Sequence, residues 1–241
     1  MESFSTLTYN VCLNKALSDV PLIIKDHSPD IICLQEVAIG KKSTYANLLP
    51  GYSLGATSNS FYRIGSTYGL ATFYKNSMFY QTGSRSIVLP KTYYEIFLTA
   101  FTRKGPRTTL STDLMFKKTG TAISISNVHL TALVATNSAR NKQLYETLEE
   151  IDMDQNSPII VLGDFNYPFR KKGLEKIIYE YNLAEATSNL TYTYMQFLKL
   201  MKNKMKFDFV LYRSLKLKET RLLESYRKSD HYPVISYFET E

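Results

Sequence analysis

The chain has no tryptophan, two cysteines (Cys12 and Cys33) and three histidines in 241 residues. Two cysteines cannot build a disulfide scaffold or a zinc–cysteine cluster, and three histidines exclude a His-rich metal site. No apolar run approaches the ~20 residues of a membrane span. Residues Met1 to Asn14 lack the basic start and continuous apolar stretch of a secretory leader, so an intracellular protein with reduced thiols is the expectation. Gly and Pro are scattered, with no repeat, low-complexity tract or linker, so a single domain over 1–241 is expected. Tyr (19) and Phe (13) are abundant, which favours sheet. With 44% hydrophobic residues the chain is not disordered. Its Lys and Arg exceed its acids to give a formal charge of +7.

Hydrophobic periodicity predicts strands over Thr6–Leu13, Asp30–Leu34, Tyr52–Thr57, Tyr68–Tyr74, Met78–Leu89, Tyr94–Arg103, Thr108–Phe116 and Thr121–Val128. Further strands are predicted over Pro158–Leu162, Thr191–Tyr194, Lys206–Tyr212, Leu215–Ser225 and Pro233–Phe238. Helical spacing marks Ala16–His27 (despite Pro21), Lys41–Leu49, Asn137–Ile151 and Lys172–Tyr181. Two mixed α/β halves with many antiparallel strands fit two sheets packed face to face with helices outside.

Polar residues recur beside the apolar runs: Asn10 in TYN, Glu36 in LQE, Asn127 and His129 in NVHL, Asp164 and Asn166 in GDFN, Asp208 in FDF, Asp230 and His231 in SDH. Each has an ordinary structural reading. Glu36 or Asp230 could cap a helix, Asp164 or Asn10 could sit in a turn, and His129 could be a hydrogen-bonded core residue. The set and its order carry more than any member.

In that order the motifs resemble the endonuclease/exonuclease/phosphatase superfamily, the DNase-I-like fold, over Thr8 to Val234. The resemblance implies a four-layer α/β/β/α sandwich of two mostly antiparallel sheets and divalent-metal-dependent hydrolysis of phosphoesters. It implies Mg²⁺, with Mn²⁺ as a substitute, held by Glu36 with Asn10 and Asp230 beside it; a hard cation needs such oxygen ligands. By the same resemblance, Asp164 orients or deprotonates the attacking water and Asn166 holds water or a phosphate oxygen. His231 contacts phosphate or transfers a proton, and Asp208 fixes its tautomer and charge. His129 stands where the AP-endonuclease branch usually has Tyr, and the tryptophan those members carry near the last motif is replaced by Arg227-Lys228-Ser229. Both point to a His-containing branch. A second His permits an acid/base pair on opposite sides of phosphorus.

Arg107, in GPRTTL, resembles a basic strand position that approaches phosphate; a solvated charge is the alternative. Arg140 and Gln143 fit an R-x-x-Q helix pattern, with packing the favoured reading. Tyr68 and Arg63 lie where substrate loops often fall, and His27 reads as structural. Two substrate classes remain. Between Ile96 and Tyr145 there are seven Lys or Arg and one acid, and Lys199, Lys202, Lys204 and Lys206 follow Phe197 with none. Basic runs flanking the motifs suit nucleic acid, read with little sequence preference. The alternative is a phospholipid or phosphoinositide phosphoesterase: Arg140-Asn141 and GDFNY are similar to inositol phosphatases, though the P-x-W-C-D-R run is missing, and Phe197 to Met205 could touch a membrane. A non-catalytic module would require a lost catalytic residue, and none is lost. No protein partner is implied and a monomer is expected.

Overall fold

A computed structural model of the chain describes residues 1–39, 49–63, 66–91, 107–132, 135–151, 157–198 and 201–241. The elements run β1 (Ser3–Asn10), α1 (Val20–His27), β2 (Ile31–Ala38), β3 (Tyr52–Arg63), β4 (Ser66–Lys75), β5 (Phe79–Val88), β6 (Thr108–Phe116) and β7 (Ala122–His129). They continue through α2 (Asn137–Ile151), β8 (Ile159–Asp164), α3 (Lys172–Glu180), β9 (Ala184–Glu185), β10 (Tyr194–Leu198), β11 (Met201–Met205), β12 (Asp208–Arg213), β13 (Leu215–Leu222) and β14 (Val234–Thr240).

One sheet has the order β13-β14-β1-β2-β4-β3 and the second β5-β6-β7-β8-β12-β9, with β10-β11 a separate hairpin. Only β1–β2 and β7–β8 run parallel among the described pairs. Period-two alternation sorts each strand's side chains into two layers. Leu7, Tyr9, Ile32 and Leu34 face outward and pack on Val20 and Ile23 of α1. Val161, Phe209 and Leu211 face outward on the other side, against Leu144 and Leu148 of α2 and Leu174 and Ile177 of α3. Phe4, Ile31, Cys33, Ile125, Ile160, Leu162 and Val210 meet between the sheets. The result is the expected α/β/β/α sandwich.

The inner faces change character along their length. β7 reads Ile123, Ile125, Asn127, His129 on its inner side, β8 reads Ile160, Leu162, Asp164, and β1 reads Phe4, Thr6, Thr8, Asn10. One end is therefore apolar, the middle is polar and the other end is ionisable. The polar middle ties the sheets together. Gln35 Nε2 donates to Asn127 Oδ1 at 2.8 Å and to Thr8 Oγ1 at 3.1 Å. Asn127 Nδ2 in turn donates to the carbonyls of Leu34 and Ala71, each at 3.1 Å.

Several boundaries differ from expectation. The strand predicted over Thr6–Leu13 ends at Asn10, because Cys12, Leu13 and Asn14 have φ of 47°, 56° and 67°. The helix predicted over Ala16–His27 is a 3₁₀ turn, Leu17–Asp19, followed by α1; Pro21 lies in the first turn of α1, where its missing N–H costs nothing. The strand predicted over Asp30–Leu34 continues through Glu36 to Ala38. The lysine-rich segment after Thr193 forms the β10–β11 hairpin. The predicted elements Lys41–Leu49 (apart from Leu49) and Tyr94–Arg103 lie outside the described residues.

Gly163 precedes Asp164 with φ +144°, and a Cβ there would lie 2.0 Å from the Val128 carbonyl oxygen. Gly163→Ala should therefore force β7 and β8 apart and cost about 3 kcal/mol. Urea unfolding checks this; a loss below about 1 kcal/mol would show that the junction yields.

Candidate active site

Strand register assembles the centre. β7, β8 and β12 are neighbours, His129 pairs with Asp164, and Asp208 pairs with Asp164. One rung thus places an imidazole and two carboxylates side by side on the inner face. All three are buried. Asp164 is held from two sides: Asn10 Nδ2 donates to its Oδ2 at 3.1 Å and the Asn166 backbone N–H to its Oδ1 at 2.9 Å. Asn166 adopts φ 51° and its Nδ2 donates to the Leu130 carbonyl at 3.3 Å, tying the GDFN turn to the loop after His129.

Glu36 enters by a different device. The β2–β4 register shifts between Gln35 and Val37, and Glu36 sits at this bulge with φ 60°. A bulge re-aims the extra residue, so Glu36 turns out of the strand's alternation and brings Oε1 to 3.9 Å from His129 Nε2. The left-handed turn after β1 holds it there. The Leu13 N–H donates to Glu36 Oε2 at 3.1 Å, the Cys12 N–H to Asn10 Oδ1 at 3.0 Å, and the Ala38 N–H to Asn14 Oδ1 at 3.0 Å.

His231 comes from the loop before β14. Ser229 Oγ donates to the Asn10 carbonyl at 2.7 Å and accepts the His231 N–H at 3.1 Å. Buried Asp19 secures the same loop, accepting the Tyr9 hydroxyl at 3.2 Å and the Lys228 N–H at 3.3 Å. His231 Nδ1 lies 2.8 Å from Asp208 Oδ2. Thr193 Oγ1 donates to that same oxygen at 2.7 Å while accepting the N–H groups of Phe207 and Asp208. Tyr194 packs edge-on against His231, ring centroids 4.9 Å apart. His231 Nε2 is 3.7 Å, and His129 Nε2 3.6 Å, from the single oxygen Asp164 Oδ2.

The two imidazoles are driven in opposite directions. Burial, together with the positive charge of Arg107 and His231, lowers the pKa of His129 well below its usual value, so it is neutral. Burial also lowers that of His231, but Asp208 and Asp164 outweigh it and raise the pKa, leaving an imidazolium. Asp164 is raised by burial and by Asp208, with His231 opposing.

Of the residues singled out in the sequence, Asn10, Glu36, His129, Asp164, Asn166, Asp208 and His231 converge. Asp230 is exposed and faces Cys12, whose thiol is pushed up to about 11 by burial, Asp230 and Glu36. Arg107 Nη1 donates to the His129 carbonyl at 3.3 Å. Lys204 is exposed, 3.9 Å over the Tyr192 ring, which packs on Tyr232 beside His231. Lys199 and the side chain of Lys202 lie outside the described residues, as does the side chain of Arg63. Arg140 is buried, donating to the Thr131 and Ala132 carbonyls, and Gln143 accepts the Thr131 N–H, so both brace the loop after His129. His27 packs edge-on against Tyr226, a structural role. Asp19, Thr193 and Tyr194 escaped sequence reasoning because no motif marks them. Ser229 stood inside SDH, and a serine two residues before a loop histidine was the available signal.

The donor chemistry suits a hard cation. Asp164, Asp208 and His231 bring ligand atoms within 4.8 Å of one another, so this buried cluster could hold a metal. Asp208 Oδ2 is already committed to His231 and Thr193, and both Asp164 oxygens accept N–H groups. Half-buried Glu36, whose Oε1 faces His129, is the better carboxylate for a cation that keeps its waters.

A family model described as the Endonuclease/Exonuclease/phosphatase family matches residues 7–231. Among solved structures, the human Nocturnin catalytic domain with bound sulfate is 20% identical with TM-score 0.75, covering 99% of this chain and 95% of that one. D. rerio TDP2 complexed with single-strand DNA product is 17% identical with TM-score 0.73 and complete coverage of both chains (100% each). The mannosyl-6-phosphatase Bt3783 of Bacteroides thetaiotaomicron is 19% identical with TM-score 0.75, covering 98% and 99%. At these identities the likeness shows the fold. No curated protein matches the chain in sequence.

Imidazole NMR of the metal-free protein should find His231 still protonated at about pH 8 and His129 still neutral at about pH 6, either side of the usual ~6.5. Because the folded-state pKa of His231 lies above its unfolded value, its contribution to stability is complete below about pH 6.5 and is lost as pH climbs through the raised value. Asp208→Asn should lower the His231 pKa and leave His129 neutral. Wild-type His231 titrating near 6.5 would contradict the assignment.

Proposed function

Because the chain belongs to the endonuclease/exonuclease/phosphatase family, a family of phosphoester hydrolases, we propose that it is a divalent-metal-dependent phosphodiesterase that cleaves nucleic acid with little sequence preference. The observation that carries the hydrolytic reading is the pair of imidazoles, one neutral and one cationic, facing one buried carboxylate oxygen. Groups whose environments push their pKa values apart supply an acid and an acceptor at one pH.

Glu36 would hold Mg²⁺ or Mn²⁺, with Asn10 and Asp230 alongside. When bound, such a cation neutralises phosphate charge and stabilises the oxygens that gain charge. The protein groups do the rest. Asp164, raised toward neutrality, orients the attacking water and takes its proton. The water oxygen bonds to phosphorus as the bond to the leaving oxygen breaks. His231 delivers its proton to that leaving oxygen, and Asp208 stabilises the imidazolium beforehand. His129 and Asn166 hydrogen-bond the non-bridging oxygens. The nucleic-acid reading is supported by the cations beside the motifs: Arg107 against His129, Arg170 to Lys172 after GDFN, and Lys204 by way of Tyr192 and Tyr232. Lys199 and Lys202 are proposed to join them. A small headgroup would leave most of these charges unused.

Chelator should abolish hydrolysis and Mg²⁺ or Mn²⁺ restore it. Glu36→Gln should raise the metal concentration needed for half-maximal rate; full activity at low Mg²⁺ would remove Glu36 as a ligand. His129→Ala and His231→Ala should each cost on the order of 10²–10⁴ in kcat. Asp208→Asn should be non-additive with His231→Ala, because the two act as a unit. A panel of single- and double-stranded DNA, RNA, sugar phosphates, sphingomyelin and phosphoinositides decides the substrate. Cleavage of the polynucleotides is expected. Intact polynucleotides with turnover of a lipid or sugar phosphate would overturn the reading.

A further inference from the structure

The loop between β8 and α3, which leaves the centre at Asp164 and Asn166, carries a feature the hydrolytic chemistry does not use. Phe169 is 65% exposed, whereas Phe165 in the same loop is fully buried. Its backbone is well held. The Phe165 N–H donates to the Phe207 carbonyl at 2.9 Å, the hydroxyl of buried Tyr167 to Asn141 Oδ1 at 3.1 Å, and Asn137 Nδ2 to the Phe169 carbonyl at 2.7 Å. A phenyl ring presented to water from a loop held at Phe165, Tyr167 and the Phe169 carbonyl is not explained by packing.

Three cations follow immediately, Arg170, Lys171 and Lys172, and none forms an ion pair with the described residues. Lys171 is the N-cap of α3 and Lys172 its first residue, the end at which the helix dipole is positive and a cation destabilises. Helix stability therefore does not account for them either. Arg170 takes φ 54°, a left-handed position for a non-glycine residue, and Lys171 Nζ sits 5.0 Å over the Phe209 ring. An exposed aromatic face beside cations that make no ion pair with the described residues matches a strand with unpaired bases and backbone phosphates. Phe169 lies three positions after Asn166, at most about 11 Å away along the chain, so the ligand group would be a nucleotide neighbouring the scissile one.

We propose that Phe169 is a stacking platform for an unpaired nucleobase of the substrate, with Arg170 and Lys171 holding the adjacent phosphates. The inference rests on nucleic acid being the substrate and adds that a single strand is preferred to a duplex, whose bases are not free to stack. Equilibrium binding to the wild-type protein in EDTA, followed by anisotropy of a labelled oligothymidylate and an abasic strand of equal length, tests it without turnover. Phe169→Ala should weaken oligothymidylate binding about tenfold, leave the abasic strand unchanged, and be rescued by Phe169→Tyr. Equal affinity in wild type and Phe169→Ala, or equal loss on both strands, overturns the platform while the substrate reading stands. Wild-type protein that binds neither strand overturns both.

Discussion

The buried carboxylate of Asp164 is the constraint on which the site depends. Burying a carboxylate without donors is costly, and this one is approached from four directions. Asn10 and the Asn166 backbone donate to it, and the two imidazoles face the same oxygen. Those four groups come from β1, the GDFN turn, β7 and the SDH loop. Satisfying one carboxylate therefore fixes the relative positions of both sheets, the GDFN turn and the SDH loop. The charge on His231 follows from Asp208 and from this carboxylate, and the neutrality of His129 follows from its burial, with Arg107 and His231 adding to it.

Other features are costs accepted for that arrangement. Glu36 at φ 60° and the run Cys12–Asn14 occupy a backbone region unfavourable to non-glycine residues by about 1–2 kcal/mol each. Each also places an N–H or a carboxylate where strand geometry could not. Gln35 and Asn127 put amides where an apolar interface would pack more simply, and bond to each other and to strand carbonyls between the sheets. That polar band separates the apolar core from the ionisable end of the sandwich.

Periodicity made the strands legible, because each buries a face and the period of two survives in the residue types. β7 shows it directly, with Ile123 and Ile125 alternating inward ahead of Asn127 and His129, whereas β8 is a continuous apolar run, buried on both faces, that ends at Asp164. What pattern could not show is where alternation is broken. Glu36 reads as the end of a strand and lies instead at a bulge inside β2, since the continuation to Ala38 depends on pairing with β4. The left-handed turn at Cys12–Asn14 has no glycine to announce it. The hairpin at Tyr194–Met205 reads as a basic insertion because lysines replace the apolar residues of its alternation. Thr193, Ser229 and Asp19 act through single hydrogen bonds to site residues, and such bonds leave no periodic trace.

The central claim is that two imidazoles, one neutral and one cationic, share one buried carboxylate during phosphoester cleavage. The pH dependence of kcat/KM at saturating metal reads this most directly. The account predicts an alkaline limb set by His231, and Asp208→Asn should draw that limb toward lower pH. A profile with no alkaline limb attributable to His231, or one that Asp208→Asn leaves unmoved, would contradict it.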